Sequence, residues 1–523
     1  MTVAEVGVQD IKRMALRGGL AKLVSQGGNF ALRLGFMVAA ARLLEPEDFG
    51  IVAMVTVVTA VLDLFATAGL SSAAVQRLTV SHQQISTLFW INLFVGAALS
   101  VFCVLIAPLV VAFYHEPRLF WVMAVMGIGF VFNAAGVQQI ALLQRQMRYV
   151  SLAAIEFSCQ LASLGLGVAL ALAGYGYWAL VAAAVALPAS LTISSWLATG
   201  WVPGRPAWDA GIGPMLHFGG TVTINGVISY MTYSFDKFLV GRVFGASALG
   251  YYGVAAQLIN TPTSNLNMAL GGVTFSALSR LQNDPGRFRN YFLKGYALNV
   301  SLTLPITIFA AVFAHDIIVV VLGPKWQEAA PIFQLLAPTV LFFGIINPMG
   351  WLLWASHRHV RSLQLALVIA VLVVTGCLVG LPYGPEGVAA GFSTVMMLWL
   401  VPHIVWCLHG TAITPPDLLR ASVRPLLSAL AAASVAHVLA VYWHPFQTPL
   451  ARLFLETGIM VGLYSSLMIF VMGKDFYLDL IRAMRTARAA PGEGDPESGG
   501  AGAEALAAIQ QRAEGRAVVM AET

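Results

Sequence analysis

The sequence predicts an all-α polytopic membrane protein with about 14 transmembrane helices, arranged as two pseudo-symmetric six-helix lobes around a central cavity plus a C-terminal helical hairpin. Three observations support this fold class: the composition, the long apolar runs and an internal repeat. Of the 523 residues, 58% are hydrophobic and only 10% are charged. Soluble domains carry about 25% charged residues, so the composition indicates a membrane protein.

The apolar runs are long enough to cross a bilayer as helices, which takes about 20 residues each. They are continuous, whereas the strands of a spanning β-barrel alternate apolar and polar residues. The predicted spans lie near residues 20–44, 50–75, 87–114, 119–143, 150–173, 176–199, 215–244, 248–277, 292–322, 328–355, 362–381, 385–408, 422–443 and 449–472.

The basic residues predict the orientation of these spans. With the N-terminus inside, the inner connections carry about five times as many Lys and Arg as the outer ones, as the positive-inside rule requires. The outer connections hold only Arg118, Arg242, Lys325 and Arg452. We therefore expect a multi-pass membrane protein with both termini cytoplasmic. The formal net charge of +5 therefore reflects the orientation of the spans in the membrane. We expect no nucleic-acid partner.

An internal repeat divides the chain into two related halves. Residues 41–55 (ARLLEPEDFGIVAMV) align without a gap with residues 241–255 (GRVFGASALGYYGVA), so that Gly50 matches Gly250. The sequence NAAG at 133–136 is echoed by NPMG at 347–350. An even number of predicted spans separates the copies, which makes them parallel repeats related by an axis along the membrane normal. Such repeats are typical of transporters, whose site lies between the halves.

Five segments follow from these patterns. They are an amphipathic cytoplasmic lead at 1–19, an N-lobe of spans 1–6 at 20–199, a C-lobe of spans 7–12 at 215–408, spans 13–14 at 422–473 and a disordered cytoplasmic tail at 489–523. The first apolar run is too long for a signal peptide and lacks a small-residue cleavage site.

Enzyme and metal-site motifs are absent from the sequence. It contains no Walker A motif, no HExxH motif and no cysteine pair at zinc spacing. All four cysteines fall inside predicted spans, where a free cysteine is small apolar filler. We therefore expect no cofactor, no metal and no enzymatic activity.

Polar residues at helical spacing mark the predicted site. Gln26, Asn29 and Arg33 share one face of span 1, and Asn225 and Asp236 share one face of span 7. Similar stripes occur on span 2, which includes Asp63, and on span 8, which includes Gln257 and Asn260. The stripes of spans 1 and 7 coincide in the repeat, so we expect the four helices to line one central cavity. For any single position, the alternative to lining a cavity is that the polar residue only holds neighbouring helices together.

Charges inside the membrane are costly and need a partner or a cavity. The sequence suggests that Arg33 and Asp63 form an ion pair between adjacent spans, which is compatible with Arg33 facing the cavity. Glu156 in span 5 is consistent with proton coupling and with a structural hydrogen bond. Arg42 and Arg242 lie near the outer ends of their helices, where they are interface anchors or anion ligands.

Four stretches resemble the polysaccharide transporter family of the MOP (multidrug/oligosaccharidyl-lipid/polysaccharide) exporter superfamily, the Wzx-type oligosaccharide flippases. They are ARLLEPEDFGIVAM at 41–54, DLFATAGLSSAAVQR at 63–77, DKFLVGRVFGASALGYYGVAAQL at 236–258 and FSALSRLQNDPGRFR at 275–289. The resemblance covers about residues 20–410. It implies two lobes that open alternately to each side, and a cargo of undecaprenyl-diphosphate-linked oligosaccharide moved outward for exopolysaccharide, capsule or O-antigen assembly. Polysaccharide polymerase or chain-length machinery would be a partner.

Other functions remain open at this point. A multidrug or lipid II exporter of the same superfamily would share the fold, and a drug exporter would have a less cationic cavity. A membrane polysaccharide polymerase or ligase would need a sizeable outer loop with basic residues, and the outer loops predicted here are short. A scaffold for the synthesis complex would make the buried charges dispensable.

Overall fold

The computed structural model describes residues 8–66, 82–206, 213–282, 284–356, 359–443 and 448–472. The predicted tail at 489–523 and residues 67–77 of the stretch 63–77 lie outside these residues. Within them the structure is helical throughout and contains no strand. The described residues up to Tyr464 form one compact unit, and those from Ser465 onward belong to a second unit that is described only for the last turns of one helix.

The first half of the chain folds into six helices. They are α1 (Val8–Leu43), α2 (Pro46–Ala66), α3 (His82–Tyr114), α4 (Leu119–Arg145), α5 (Tyr149–Leu172) and α6 (Tyr177–Thr199). Helix α3 packs on α4, α4 on α6, and α5 on both α1 and α6. Helix α1 is continuous across residue 19, so the predicted surface lead from Val8 onward and the first span form one helix.

The second half begins with α7 (Gly213–Arg280), which contains two spans in sequence. Gly245 interrupts its helical backbone with φ +83° and ψ −172°, a conformation that suits glycine because it has no Cβ. The following helices are α8 (Pro285–Val312), α9 (Ala314–Val321), α10 (Ala329–Leu336), α11 (Pro338–Ala355), α12 (His359–Gly380) and α13 (Gly384–Leu408). The hairpin consists of α14 (Pro415–Trp443) and α15 (Pro449–Met472).

Local chemistry explains several helix boundaries. At the start of α8, the Asp284 carboxylate accepts from the backbone N–H of Arg287 at 3.0 Å, and Pro285 occupies the first helical position. The carboxylate of Asp48 accepts from the N–H of Glu45 at 3.0 Å and from that of Tyr177 at 2.9 Å. One side chain therefore caps α2 and joins its beginning to the beginning of α6.

Among the described residues, eleven segments are long and apolar enough to cross a membrane. Two of them run for 39 and 45 residues and contain a break, at Gly245 and at the turn Leu381–Tyr383. Each is long enough for two crossings of about 20 residues. Helix α1, with its many charges, is not one of the eleven. The polytopic all-α fold is confirmed, and the count of fourteen spans stays a prediction.

The internal repeat reappears as a reciprocal contact between α2 and α7. A Cβ added to Gly50 would lie 1.7 Å from the carbonyl oxygen of Ala246, and one added to Gly250 would lie 1.8 Å from that of Pro46. Each contact is converted into the other by the constant offset of 200 residues. This reciprocity is the signature of a two-fold relation between the repeats, as parallel repeats require.

Further contacts join the two halves near Gly50, and we call this region the closed end. Trp326 is fully buried and donates its indole N–H to the carbonyl of Ala41 at 2.8 Å. Its ring also meets Phe49 edge to face, with centroids 5.2 Å apart. Two polar contacts lie beside it: Lys325 pairs with Glu45 at 2.9 Å, and Arg42 donates to the Val320 carbonyl at 2.8 Å.

Candidate functional site

A cavity with a polar lining lies between the two halves of the described chain and measures about 510 Å³. We call it the central cavity. It is lined by α1, α5 and α6 from the first half and by the second part of α7 from the other half. Its polar residues are Gln26, Asn29, Arg33, Glu156, Gln160, Gln257, Thr261 and Ser264. Five residues predicted from the sequence therefore lie together here: Gln26, Asn29, Arg33, Glu156 and Gln257.

Arg33 is the cation of the central cavity. Its Nε donates to Oε1 of Gln160 at 3.3 Å, and its side chain remains partly exposed. The distal end of the guanidinium retains donors that suit a carboxylate or phosphate. Gln160 is not among the residues predicted from the sequence, although it follows Glu156 at the i+4 spacing that places both on one helix face.

Neutral polar groups line the wall beside Arg33. Asn29 lies one turn before it on α1, and its Nδ2 donates to Ser25 at 3.5 Å while its buried Oδ1 has no protein partner in the described structure. Ser25 in turn donates to the carbonyl of Ala153 at 3.1 Å, which anchors α1 to α5. Such amide and hydroxyl groups suit the hydroxyl groups of a sugar.

Two smaller cavities adjoin the central one. The first, about 370 Å³, lies within the first half and is lined by Asp63, Thr56, Thr59 and Asn133 among others. It shares Leu187 and Leu191 with the central cavity. The second, about 250 Å³, lies within the other half and contains Asp236, Asn260 and Asn347. It shares Ser264 with the central cavity.

These two side cavities are equivalents in the repeat. The α2 residues of the first cavity, Thr56, Thr59, Ala60 and Asp63, correspond at the offset of 200 to Ala256, Ile259, Asn260 and Thr263 of the second. Asn133 and Asn347, which the NAAG and NPMG motifs align, lie in corresponding cavities as well. Each half thus contains an equivalent internal cavity, but the charged residues differ: Asp63 from α2 lines the first, and Asp236 and Lys237 from α7 line the second.

This arrangement differs from the single cavity expected for all four polar stripes. The stripes of α1 and of the second part of α7 face the central cavity. The polar face of α2 turns into its own half, because its opposite face packs against α7 near Gly50. Asn225 lies on α7, and its side chain is outside the described part of the structure.

The acidic residues do not pair with Arg33. Of the ion pairs within the described ranges, none joins Arg33 to Asp63 or to Glu156. Arg33 and Asp63 lie in neighbouring cavities separated by Leu187 and Leu191. Glu156 faces the central cavity one turn from Gln160. The expected direct ion pair between spans is therefore not formed in this conformation.

Asp236 is held by a buried hydrogen bond. Its side chain is 3% exposed, and its Oδ2 accepts from the hydroxyl of Tyr252 at 2.8 Å, while Oδ1 has no protein partner in the described structure. A buried carboxylate with a free oxygen needs a proton or a cation to offset its desolvation. Lys237 lines the same cavity, so a cation of the chain lies nearby.

Comparison with known proteins identifies the family. A family model described as "Polysaccharide biosynthesis protein" matches residues 39–331. The chain is 26% identical over 369 residues to the lipopolysaccharide biosynthesis protein WzxC of Escherichia coli (strain K12), covering 69% of this chain and 74% of the relative. It is 24% identical over 485 residues to the succinoglycan biosynthesis transport protein ExoT of Rhizobium meliloti (strain 1021), covering 90% of this chain and 96% of the relative.

A solved structure shows the same fold. The lipid II flippase MurJ in an inward closed conformation superposes with a TM-score of 0.70 at 14% sequence identity, covering 88% of this chain and all of that one. The family match spans more than half of the residues and includes residues 41–55 and 241–255 of the repeat, the closed end and the cavity residues of α5, α6 and α7. The chain therefore belongs to the polysaccharide biosynthesis protein family.

Proposed function

We propose that this protein is a flippase that translocates undecaprenyl-diphosphate-linked oligosaccharide across the bacterial inner membrane by alternating access, for exopolysaccharide, capsule or O-antigen biosynthesis. The names of its relatives, which concern lipopolysaccharide biosynthesis and succinoglycan transport, support a glycan cargo. The observation that carries the proposal is the central cavity between the halves, in which Arg33 and Glu156 lie among neutral amide and hydroxyl groups.

The chemistry of this cavity suits the proposed headgroup. A diphosphate presents several anionic oxygens, and a guanidinium binds such groups through charge-assisted hydrogen bonds. In the proposed complex Arg33 holds the diphosphate, and Gln26, Asn29 and Gln257 donate to and accept from the sugar hydroxyls. Asp236 and Asn260 belong to the same proposed binding region, because the cavity that they line adjoins the central one at Ser264. Asn225 is included only because it shares a face of span 7 with Asp236 in the sequence.

The direction of opening follows from the proposed orientation. With both termini cytoplasmic, the closed end faces outward, so the described conformation is closed toward the outside. Opening to the outside would require the contacts of Trp326, Lys325 and Gly50 to separate. No nucleotide-binding motif supplies energy, and Asp63, Asp236 and Glu156 are the proposed coupling groups if an ion gradient drives the cycle.

A strain that lacks this gene tests the proposal. We expect lipid-linked repeat units to accumulate on the cytoplasmic leaflet, with wild type restoring surface polymer and Arg33→Ala failing to do so. Arg33→Lys keeps the charge without the planar fork and is expected to restore export in part. Arg118→Ala is the matched control, because Arg118 lies on the α3–α4 turn, does not line the central cavity and pairs with Glu116 and Glu47.

The outcome separates the competing functions. Repeat units that reach the outer leaflet but stay unpolymerised would indicate a polymerase or ligase function. Full export by a normally inserted Arg33→Ala variant would remove the site assignment and favour a scaffold. Unchanged export together with loss of ion-dependent drug efflux would favour a multidrug exporter, and loss of lipid II translocation would favour a lipid II exporter.

A further inference from the structure

A second opening between the two halves lies beside α2 and has an apolar lining. Its volume is about 230 Å³, and it is formed by Val57, Val58 and Val61 of α2, Phe102 of α3, and Met231 and Phe235 of α7. We call it the apolar crevice. Phe102 and Met231 are 44% and 45% exposed, so the crevice opens on the surface of the helix bundle.

The repeat relates the apolar crevice to the central cavity. At the offset of 200 residues, Val57 corresponds to Gln257, Val58 to Leu258 and Val61 to Thr261, and all three of these partners line the central cavity. The two openings are therefore the two equivalent seams between the halves. One seam is polar and carries Arg33, while the other is apolar.

The surroundings of the apolar crevice favour a hydrocarbon occupant. The helices that form it are among those apolar and long enough to span a membrane. An apolar cavity in a protein does not hold water, whereas hydrocarbon chains fill such a surface favourably. Because the crevice opens on the bundle surface at these spans, bilayer lipid is the hydrocarbon that reaches it.

A cation lies at the end of the crevice. Phe238 lines it and stacks on Phe113 with ring centroids 4.6 Å apart, and the guanidinium of Arg242 lies 5.3 Å from the centre of the Phe113 ring. Arg242 follows Phe238 by one helical turn on the same face and three residues before the kink at Gly245. Among the residues with described positions, no carboxylate pairs with Arg242.

We propose that an anionic phospholipid binds this seam, with an acyl chain in the apolar crevice and its phosphate against Arg242. The bound acyl chain fills the seam between α2 and α7, which is the equivalent of the central cavity in the repeat. Because the two halves must move relative to each other across this seam during alternating access, the lipid stabilises one of the two conformations. This site is independent of the identity of the cargo.

Photo-crosslinking of the full chain in nanodiscs tests the site. The probe is phosphatidylglycerol with a diazirine on its acyl chain. We expect adducts in the peptides that contain Val57–Val61 and Met231–Phe235. The double variant Val57→Gln/Val61→Thr, which copies the residues of the polar seam, should reduce these adducts about tenfold, because apolar contacts are replaced by groups that must be desolvated. Leu105→Thr is the control, since Leu105 is 71% exposed on the bundle surface outside the crevice.

Arg242→Ala provides a second variant at an exposed position. It should abolish the preference for phosphatidylglycerol over phosphatidylethanolamine while leaving the thermal melting of the protein unchanged. Adducts spread evenly over the bundle surface, or adducts that neither variant reduces, would overturn the proposal. Displacement of the probe by polyprenyl diphosphate but not by excess phospholipid would also overturn it, because the crevice would then hold the cargo chain. Arg33→Ala, which tests the proposed function, should leave every one of these adducts in place.

Discussion

The reciprocal glycine contact predicts that one added methyl group opens the closed end. In Gly50→Ala the new Cβ would lie 1.7 Å from the carbonyl oxygen of Ala246, whereas ordinary contacts begin near 3.4 Å. The clash is with backbone, so no side-chain rotation relieves it. Helices α2 and α7 must therefore separate by roughly 1.7 Å at this point, or the two-fold contact must break.

Overpacking of this kind costs about 1–3 kcal/mol. The cost applies only to the conformation in which the contact exists, so it shifts the equilibrium toward the open one by about 5- to 150-fold. The intrinsic preference of a helix for alanine over glycine, about 1 kcal/mol, acts in both conformations and leaves this equilibrium unchanged. Gly250→Ala should have the same effect through the carbonyl of Pro46, at 1.8 Å.

Cysteine labelling measures the shift. Gln257→Cys places a thiol in the central cavity, and the four native cysteines are buried and free, so their replacement by alanine removes any background. A membrane-impermeant thiol reagent added to the outside of spheroplasts should label this cysteine faster in Gly50→Ala than in the parent. Gly35→Ala is the matched control, because a Cβ there meets nothing within 4 Å. Equal labelling of Gly50→Ala and the parent, at equal membrane levels, would refute the assignment of this contact as a gate.

Three further predictions follow from single sites. Trp326→Ala removes a fully buried ring and its hydrogen bond to the Ala41 carbonyl, and should increase the same outside labelling more than Trp326→Phe, which keeps a ring. Asp236→Leu leaves the Tyr252 hydroxyl without an acceptor and should lower the free energy of unfolding by about 1–3 kcal/mol, while Asp236→Asn keeps an acceptor and should melt like wild type. The hydrogen bond from Arg118 holds the pKa of Glu116, on the α3–α4 turn, below its usual range. The stabilisation that this hydrogen bond gives the folded protein is therefore present at neutral pH and is lost as the pH falls through the lowered pKa of Glu116. The difference in melting temperature between wild type and Arg118→Ala should accordingly shrink in acid.

Much of the fold follows from the sequence because a membrane restricts the backbone conformations that a spanning segment can adopt. Backbone polar groups in hydrocarbon must bond internally, so long apolar runs become helices. The ungapped alignment of Gly50 with Gly250 also anticipated a two-fold relation, and the reciprocal contact confirms it. Trp326 was not anticipated as a link between the halves. Its indole reaches Ala41 from 285 residues away, and no local pattern encodes such a contact.

The site was predicted less completely for a geometric reason. Helical spacing shows which residues share a face, but it does not show which way that face turns. The stripe of α1 faces the seam, as expected for Arg33 and Asn29. The stripe of α2, which ends at Asp63, instead faces a cavity within the first half. The reason is that the face of α2 containing Gly50 packs against α7. The rotation of each helix about its axis depends on packing, which periodicity alone does not contain.

The two equivalent seams between the halves differ in polarity, and this difference matters for function. A symmetric duplication would produce two equal openings between the halves, and an amphiphilic cargo needs only one that accepts its charged head. Gln257 and Thr261 on one seam and Val57 and Val61 on the other show that the equivalent positions have opposite polarity. An arginine in the apolar seam would cost about 2.5–3.5 kcal/mol without a partner, whereas Arg33 in the polar seam donates to Gln160. If both seams carried cargo, exchanging Val57 and Val61 for Gln and Thr would be neutral or beneficial for export. If one carries the head and the other holds lipid, the exchange should impair export without changing the cavity around Arg33.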